Sequence, residues 1–181
     1  MARAGFVCRG AIEPRATRRR GFLLLVRGPM SVPDTIAVEQ CEDYYTEHIG
    51  RDADGGQFMA FVVATLAAPL PKDWEAHKRW YAVLHTFDAA GRHRDTKAWF
   101  AGTTADGEEA VCQRAAEKRD EMIAGLGDVE LCGVRVKLFS VEIDGHVFGM
   151  IDTSDPELGP RVTLEPNDFL FSPPWDGAFD T

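Results

Sequence analysis

Trp80-Tyr81-Ala82-Val83-Leu84-His85-Thr86-Phe87 decides how this chain folds. Aromatic and aliphatic side chains in an unbroken run of this length read as a strand. Successive side chains of a strand point to opposite faces, which puts Tyr81, Val83, His85 and Phe87 on one side and Trp80, Ala82, Leu84 and Thr86 on the other. Both sets are largely apolar, so the strand belongs in the interior of a sheet covered on both faces. Asp88-Ala89-Ala90-Gly91 turns the chain, and Lys97 to Gly102 returns it as the second arm of a hairpin.

Working outward, Tyr45 to Gly50 and the apolar run Gln57 to Leu66 form another hairpin across the turn Arg51-Asp52-Ala53-Asp54-Gly55-Gly56. Trp74 to Arg79 is a short helical turn. Asp106 reads as a helix N-cap with Glu109 completing a capping box, and Val111, Cys112, Ala115, Ala116, Met122, Ile123 and Leu126 fall on one stripe at helical spacing. Val134 to Ile143 and His146 to Ile151 flank Asp144-Gly145, the preferred pair for a two-residue type I′ turn. Short strands at Arg161 to Leu164 and Phe169 to Phe171 follow. The expected fold class is α+β: an antiparallel sheet built from three hairpins, with one long amphipathic helix packed on a face.

The charge is unevenly spread. Residues 1–30 hold seven arginines, no lysine and one acid, Glu13, for +6; the rest hold 13 basic and 28 acidic residues, for −15, which makes up the net −9. The organisation expected is a basic extension at 1–29, disordered or upstream of a natural start at Met30, and a single acidic α+β domain at 30–181. Arg18-Arg19-Arg20-Gly21-Phe22-Leu23-Leu24 has the look of a twin-arginine export signal, but Arg27 and Gly28-Pro29 cut its apolar stretch short. An acidic body repels a phosphate backbone, which disfavours direct nucleic-acid binding and suits a basic protein partner. No run of 18 apolar residues exists, so no membrane helix is expected. Four widely spaced cysteines, with no C-x-x-C pair, point to a reducing, cytoplasmic setting.

Catalytic and ligand-binding patterns are sparse. The histidines (48, 77, 85, 93 and 146) lack metal-ligand spacing, and no P-loop, H-E-x-x-H or G-x-S-x-G occurs, so neither metal nor cofactor is expected. Asp52-x-Asp54-Gly55 lacks the later ligands of a calcium loop; position 12 would be Val63. His85 is expected to be a hydrogen-bonded core histidine; a small enzyme with a pocket near His85, Tyr81 and Asp54 is the alternative. Arg92-His93-Arg94 reads as a solvated hairpin tip. In Pro173-Pro174-Trp175-Asp176-Gly177, the tryptophan either folds back over an end of the core or anchors a partner-binding tail.

Three segments carry a family likeness: Glu47-His48-Ile49-Gly50-Arg51-Asp52-Ala53-Asp54-Gly55-Gly56-Gln57-Phe58, then Lys78 to His93, and Pro174-Trp175-Asp176-Gly177-Ala178-Phe179-Asp180-Thr181. From about residue 31 onward the chain resembles a family of small actinobacterial proteins known as formate hydrogenlyase regulatory proteins. The resemblance implies a regulator of formate metabolism and carries no catalytic role. With the charge argument it gives the leading expectation, a non-enzymatic cytoplasmic regulatory domain that holds a protein partner. An antidote-like protein masking a basic toxin is a further alternative. The residues marked as a candidate binding set are Arg51, Asp52, Asp54, His85, Trp175, Asp176 and Asp180.

Overall fold

The computed structural model describes residues 31–42, 44–66 and 69–181; the basic extension 1–29 and the start expected at Met30 lie outside the described residues. The fold is mixed α/β, with mostly antiparallel sheets and few helices. Among the described residues the strands form three sheets. Strand β1 (Ile36–Val38) pairs with β7 (Val134–Val136). Strands β2 (Ile49–Asp52), β3 (Gln57–Thr65), β4 (Arg79–Phe87), β5 (His93–Thr103) and β6 (Val129–Leu131) form a five-stranded sheet in the order β5-β4-β3-β2-β6, all neighbours antiparallel. Strands β8 (Phe139–Ile143), β9 (His146–Asp152), β10 (Val162–Glu165) and β11 (Phe169–Phe171) make a four-stranded antiparallel meander. Among the described residues the α-helices are α1 (Trp74–His77) and α2 (Glu108–Ala124).

The two faces of β4 explain the layering. Tyr81, Val83 and Phe87 join Met59, Phe61 and Val63 of β3 in the main core, against Phe148, Met150, Val162, Leu164, Phe169 and Phe171 of the meander and the buried residues of β1 and β7. On the reverse face, Ala82 and Leu84 lie with Phe58 and Ala60 under α2 and the residues that follow it. Each fully buried large apolar side chain contributes about 1.5–3 kcal/mol relative to exposure, so the strand must be covered on both sides to realise that gain.

Several expectations need correction. Val134 to Ile143 is two strands in two different sheets, so the strands do not form one antiparallel sheet. Val134 and Val136 are buried against β1, and the N–H of Lys137 donates to the carbonyl of Gly91 (2.8 Å), holding the chain beside the β4–β5 turn before β8 begins. The strand expected over Tyr45 to Gly50 is β2 and starts only at Ile49, because residues 44–48 form a bend and turns. The capping box is shifted: Asp106 takes the N–H and hydroxyl of Thr103 (2.8 and 2.9 Å) in a 3-10 turn, and Gly107 precedes α2. The apolar stripe of α2 is buried only at Val111, Cys112 and Ala115. At the β8–β9 turn, Asp144 and Gly145 both have positive φ (54° and 78°), the geometry of a type I′ turn.

Two polar junctions tie the layers together. The Nε–H of Arg79 donates to the Tyr81 hydroxyl (2.7 Å), which donates to Oδ2 of Asp144 (2.9 Å), and Arg79 Nη2 donates to the same oxygen (3.0 Å). Burial, with the Asp144 acceptor adding to it, holds the Tyr81 phenol above its ordinary range. The second junction is Gln57, 4% exposed. Its amide donates to the carbonyls of Arg135 (3.0 Å) and Asp88 (3.4 Å), and its oxygen accepts the N–H of Arg135 (2.8 Å). This side chain stands in for a strand backbone between β3 and β7, satisfying groups that would otherwise be buried unpaired.

Gly91 sits at the same junction. Its φ is +77°, and a Cβ there would lie 2.2 Å from the carbonyl oxygen of Arg135, backbone that cannot swing aside. Gly91→Ala is expected to destabilise the fold by about 2 kcal/mol or more, read as a lower urea midpoint at unchanged m. A change within about 0.5 kcal/mol would contradict this account of the turn.

Candidate functional site

The seven marked residues separate into three places. Asp52 closes its own turn: Oδ1 accepts the N–H groups of Gly56 (2.7 Å) and Asp54 (3.0 Å), and its carbonyl accepts that of Gly55. Asp54 is exposed beside it, and Arg51 is exposed on β2 in register with Glu130. His85 is in the interior, 1% exposed. Trp175, Asp176 and Asp180 lie on the C-terminal segment. Among the described residues no hydrogen bond or ion pair joins these three places.

His85 belongs to a polar array that the sequence reading missed. Thr96 Oγ1 on β5 lies 2.8 Å from His85 Nδ1 and 2.7 Å from His93 Nε2. The hydroxyl has one proton, so it donates to one ring nitrogen and accepts from the other. Phe139 of β8 covers the array, stacked on His93 (4.6 Å between centroids, 8° between planes) and edge-on to His85. His93 is therefore half-buried between the layers, which corrects its reading as part of a solvated tip. Burial first, and the neighbouring His93 second, push the His85 pKa down to about 3. The two cavities described, one beside Tyr45 and one at the start of α2, are not lined by His85, whose neighbours include the rings of Phe61, Phe87 and Phe139. The array fastens β4 to β5 and offers no room for a substrate.

The C-terminal segment builds a surface. Trp175, at φ +63°, and Phe179 pack on the main core. Phe179 stacks on Phe169 (4.7 Å), and the backbones of Leu170 and Asp180 exchange two hydrogen bonds (2.8 and 2.9 Å), capping β11. Asp176 accepts the N–H of Ala178 (3.2 Å), and the carbonyl of Gly177 accepts that of Glu39 (3.1 Å). Tyr44 and Tyr45 stand beside this segment, edge-to-face with each other (5.0 Å), with Tyr44 against Phe179 (5.8 Å) and Tyr45 against Phe169 (5.2 Å). They remain 43% and 53% exposed. Next to them is a depression of about 240 Å³, lined by Tyr45, Val62, Ala64, Trp80, Pro166 and Phe169 among others. That is smaller than the roughly 300–1,000 Å³ of small-molecule pockets, and suits a partner side chain better than a cofactor.

The C-terminal stretch of the chain is one-signed in charge. From Phe139 to Thr181 the chain holds nine acids and a single basic residue, Arg161. Of the nine, Asp144 is spent on Arg79. Burial, with Asp168 nearby, raises the pKa of Glu165 above the usual carboxylate range. By contrast, four of the five Lys or Arg ion pairs on the described residues lie wholly outside this segment, at Lys78–Glu108, Lys118–Glu121, Arg119–Asp120 and Lys137–Asp34. No protein-family model, curated protein or solved structure matches the chain.

The depressed pKa of His85 sets a pH dependence. Between about pH 3 and 6.5 the unfolded chain binds a proton at this ring that the fold does not, so stability is lost as pH falls through that window. Burial lowers His48 and His93 in the same direction. Denaturation of His85→Gln between pH 4 and 6.5 is expected to show a pH slope shallower by about one proton, on the order of 1.4 kcal/mol per pH unit. An unchanged slope would mean that His85 is protonated in the fold.

Proposed function

We infer that this chain is a non-enzymatic regulatory domain that acts by holding a basic protein partner. The observation that carries the reading is the exposed Tyr44–Tyr45 pair, packed on Phe169 and Phe179 at the border of a segment with nine acids and one base. Tyrosine gives large, rigid contact area at low entropic cost and is enriched among residues that dominate interface energy. An excess of carboxylates speeds encounter with a cationic partner and makes binding salt-sensitive. The same carboxylates disfavour direct contact with nucleic acid. No helix among the described residues is long and apolar enough to cross a membrane. The resemblance to formate hydrogenlyase regulatory proteins supports a partner in bacterial formate metabolism and a cytoplasmic setting.

Site-directed photo-crosslinking tests this. A benzophenone side chain at position 45 is expected to capture one basic protein from native lysate, with capture fading as salt rises. The same group at Gln113, on the exposed side of α2, is expected to capture none. Once the partner is purified, Tyr45→Ala is expected to weaken binding by about 2 kcal/mol, roughly 30-fold. Equal capture from both positions, or binding indifferent to salt, would overturn the reading.

A further inference from the structure

The two flanks of the sandwich differ in how much free strand edge they leave. On one, the Asp180 segment bridges β11 and the five-stranded sheet ends in β6, only three residues long. On the other flank both layers end in an edge strand: β5 pairs only with β4, β8 pairs only with β9, and the two lie side by side. Among the described residues, no backbone-to-backbone hydrogen bond joins residues 94–102 to anything but β4. With 11 residues, β5 spans about 37 Å at ~3.4 Å per residue. The carbonyl of Ala101 accepts Nη2 of Arg114 (3.0 Å), and the edge before it is a template for another strand. It carries Trp99 and Phe100, 38% and 40% exposed, on opposite faces.

We propose that this flank is a homodimer interface in which β5 pairs antiparallel with β5 of a second copy about a twofold axis at Ala98. The strand's own residues select that register. Irregularities opposite Trp80/Tyr81 and Thr86/Phe87 leave Asp95–Phe100 as its regular stretch. An axis at Lys97 sets two ammonium groups against each other, which costs energy in directly opposed pairs. An axis at Thr96 draws the irregularity near Arg94 into the ladder. An axis at Ala98 places Lys97 opposite Trp99 of the partner subunit, a cation over an indole face, and Thr96 opposite Phe100 of the partner subunit. Both exposed rings then gain a neighbour on their own side of the sheet. Charge along this edge is also mixed: Arg94 and Lys97 stand with Asp95 on β5, and the neighbouring β8 carries Glu142.

Salt separates this contact from the binding of a basic partner. Two acidic bodies repel, so screening strengthens the dimer, whereas it weakens capture of a cation. At a twofold axis in an antiparallel pair the opposed Cα atoms lie about 4.5–5.5 Å apart, within disulfide reach. Position 97 is offset by two residues and lies about 8 Å from its copy, beyond that reach. The full chain is expected to sediment at twice 20.0 kDa at tens of micromolar, and to associate more tightly in added salt. Ala98→Cys is expected to form a covalent dimer under mild oxidation at least tenfold faster than wild type or Lys97→Cys. Lys97→Glu, an exposed substitution, is expected to weaken self-association at least tenfold with an unchanged circular dichroism spectrum. A monomer at these concentrations, or equal cross-linking of the two cysteine variants, would overturn the proposal.

Discussion

Strand β4 must be dry on both faces, and the rest of the molecule is arranged to keep it so. Tyr81, Val83 and Phe87 cannot be covered by the helix that covers Ala82 and Leu84, because the pleat sends them the opposite way. One layer comes from α2 and the residues after it. The other has to come from further strands, and β8 to β11 with the β1–β7 pair supply it. A central sheet that buries both faces reads as a continuous apolar run instead of an alternation, which is how β3 and β4 appear.

That layering also sorts the charge. The α2 side balances its acids with lysine and arginine through short ion pairs near the surface, each worth little on its own. The meander side has almost no cations to do the same. Its stretch from Phe139 to Thr181 keeps an excess of carboxylates, the charge on which the proposed capture of a basic partner relies. The polar interior points the other way: the hydroxyl of Thr96 between two imidazoles, and the carboxylate of Asp144 shared by Arg79 and Tyr81, hold layers in place.

The period-two reading of residues 80–87 was legible because side-chain direction alone decides it. The turns at Asp52 and Asp144 were legible because their glycines and aspartates act on their own backbone. The division of residues 134–143 between two sheets was not legible. It depends on Gly91 and Ile36, far away in the chain, and no local pattern marks where one partner replaces another. The candidate surface is legible in part: Trp175, Asp176 and Asp180 stand out by their string, while Tyr45 reads as the opening of a strand and Tyr44 precedes it. Their exposure follows from the turns at residues 44–48, and two adjacent tyrosines say nothing by themselves about which way they face. Thr96 has no sequence signal at all, since only the pairing of β4 with β5 brings it to His85.

The amide of Gln57 carries a consequence for the birth of the chain. Its hydrogen-bond partner on β7 lies 78 residues downstream. At a synthesis rate of about 5–20 residues per second, that partner emerges about 4–16 s after Gln57 itself. Throughout that interval β3 and β4 can pair and Asp88 can accept from the amide, yet the two bonds to Arg135 must be made by water and the face around them cannot close. The nascent protein therefore has a wet seam along its middle strands until β7 arrives, and a chaperone that shields apolar strands would find its opportunity there.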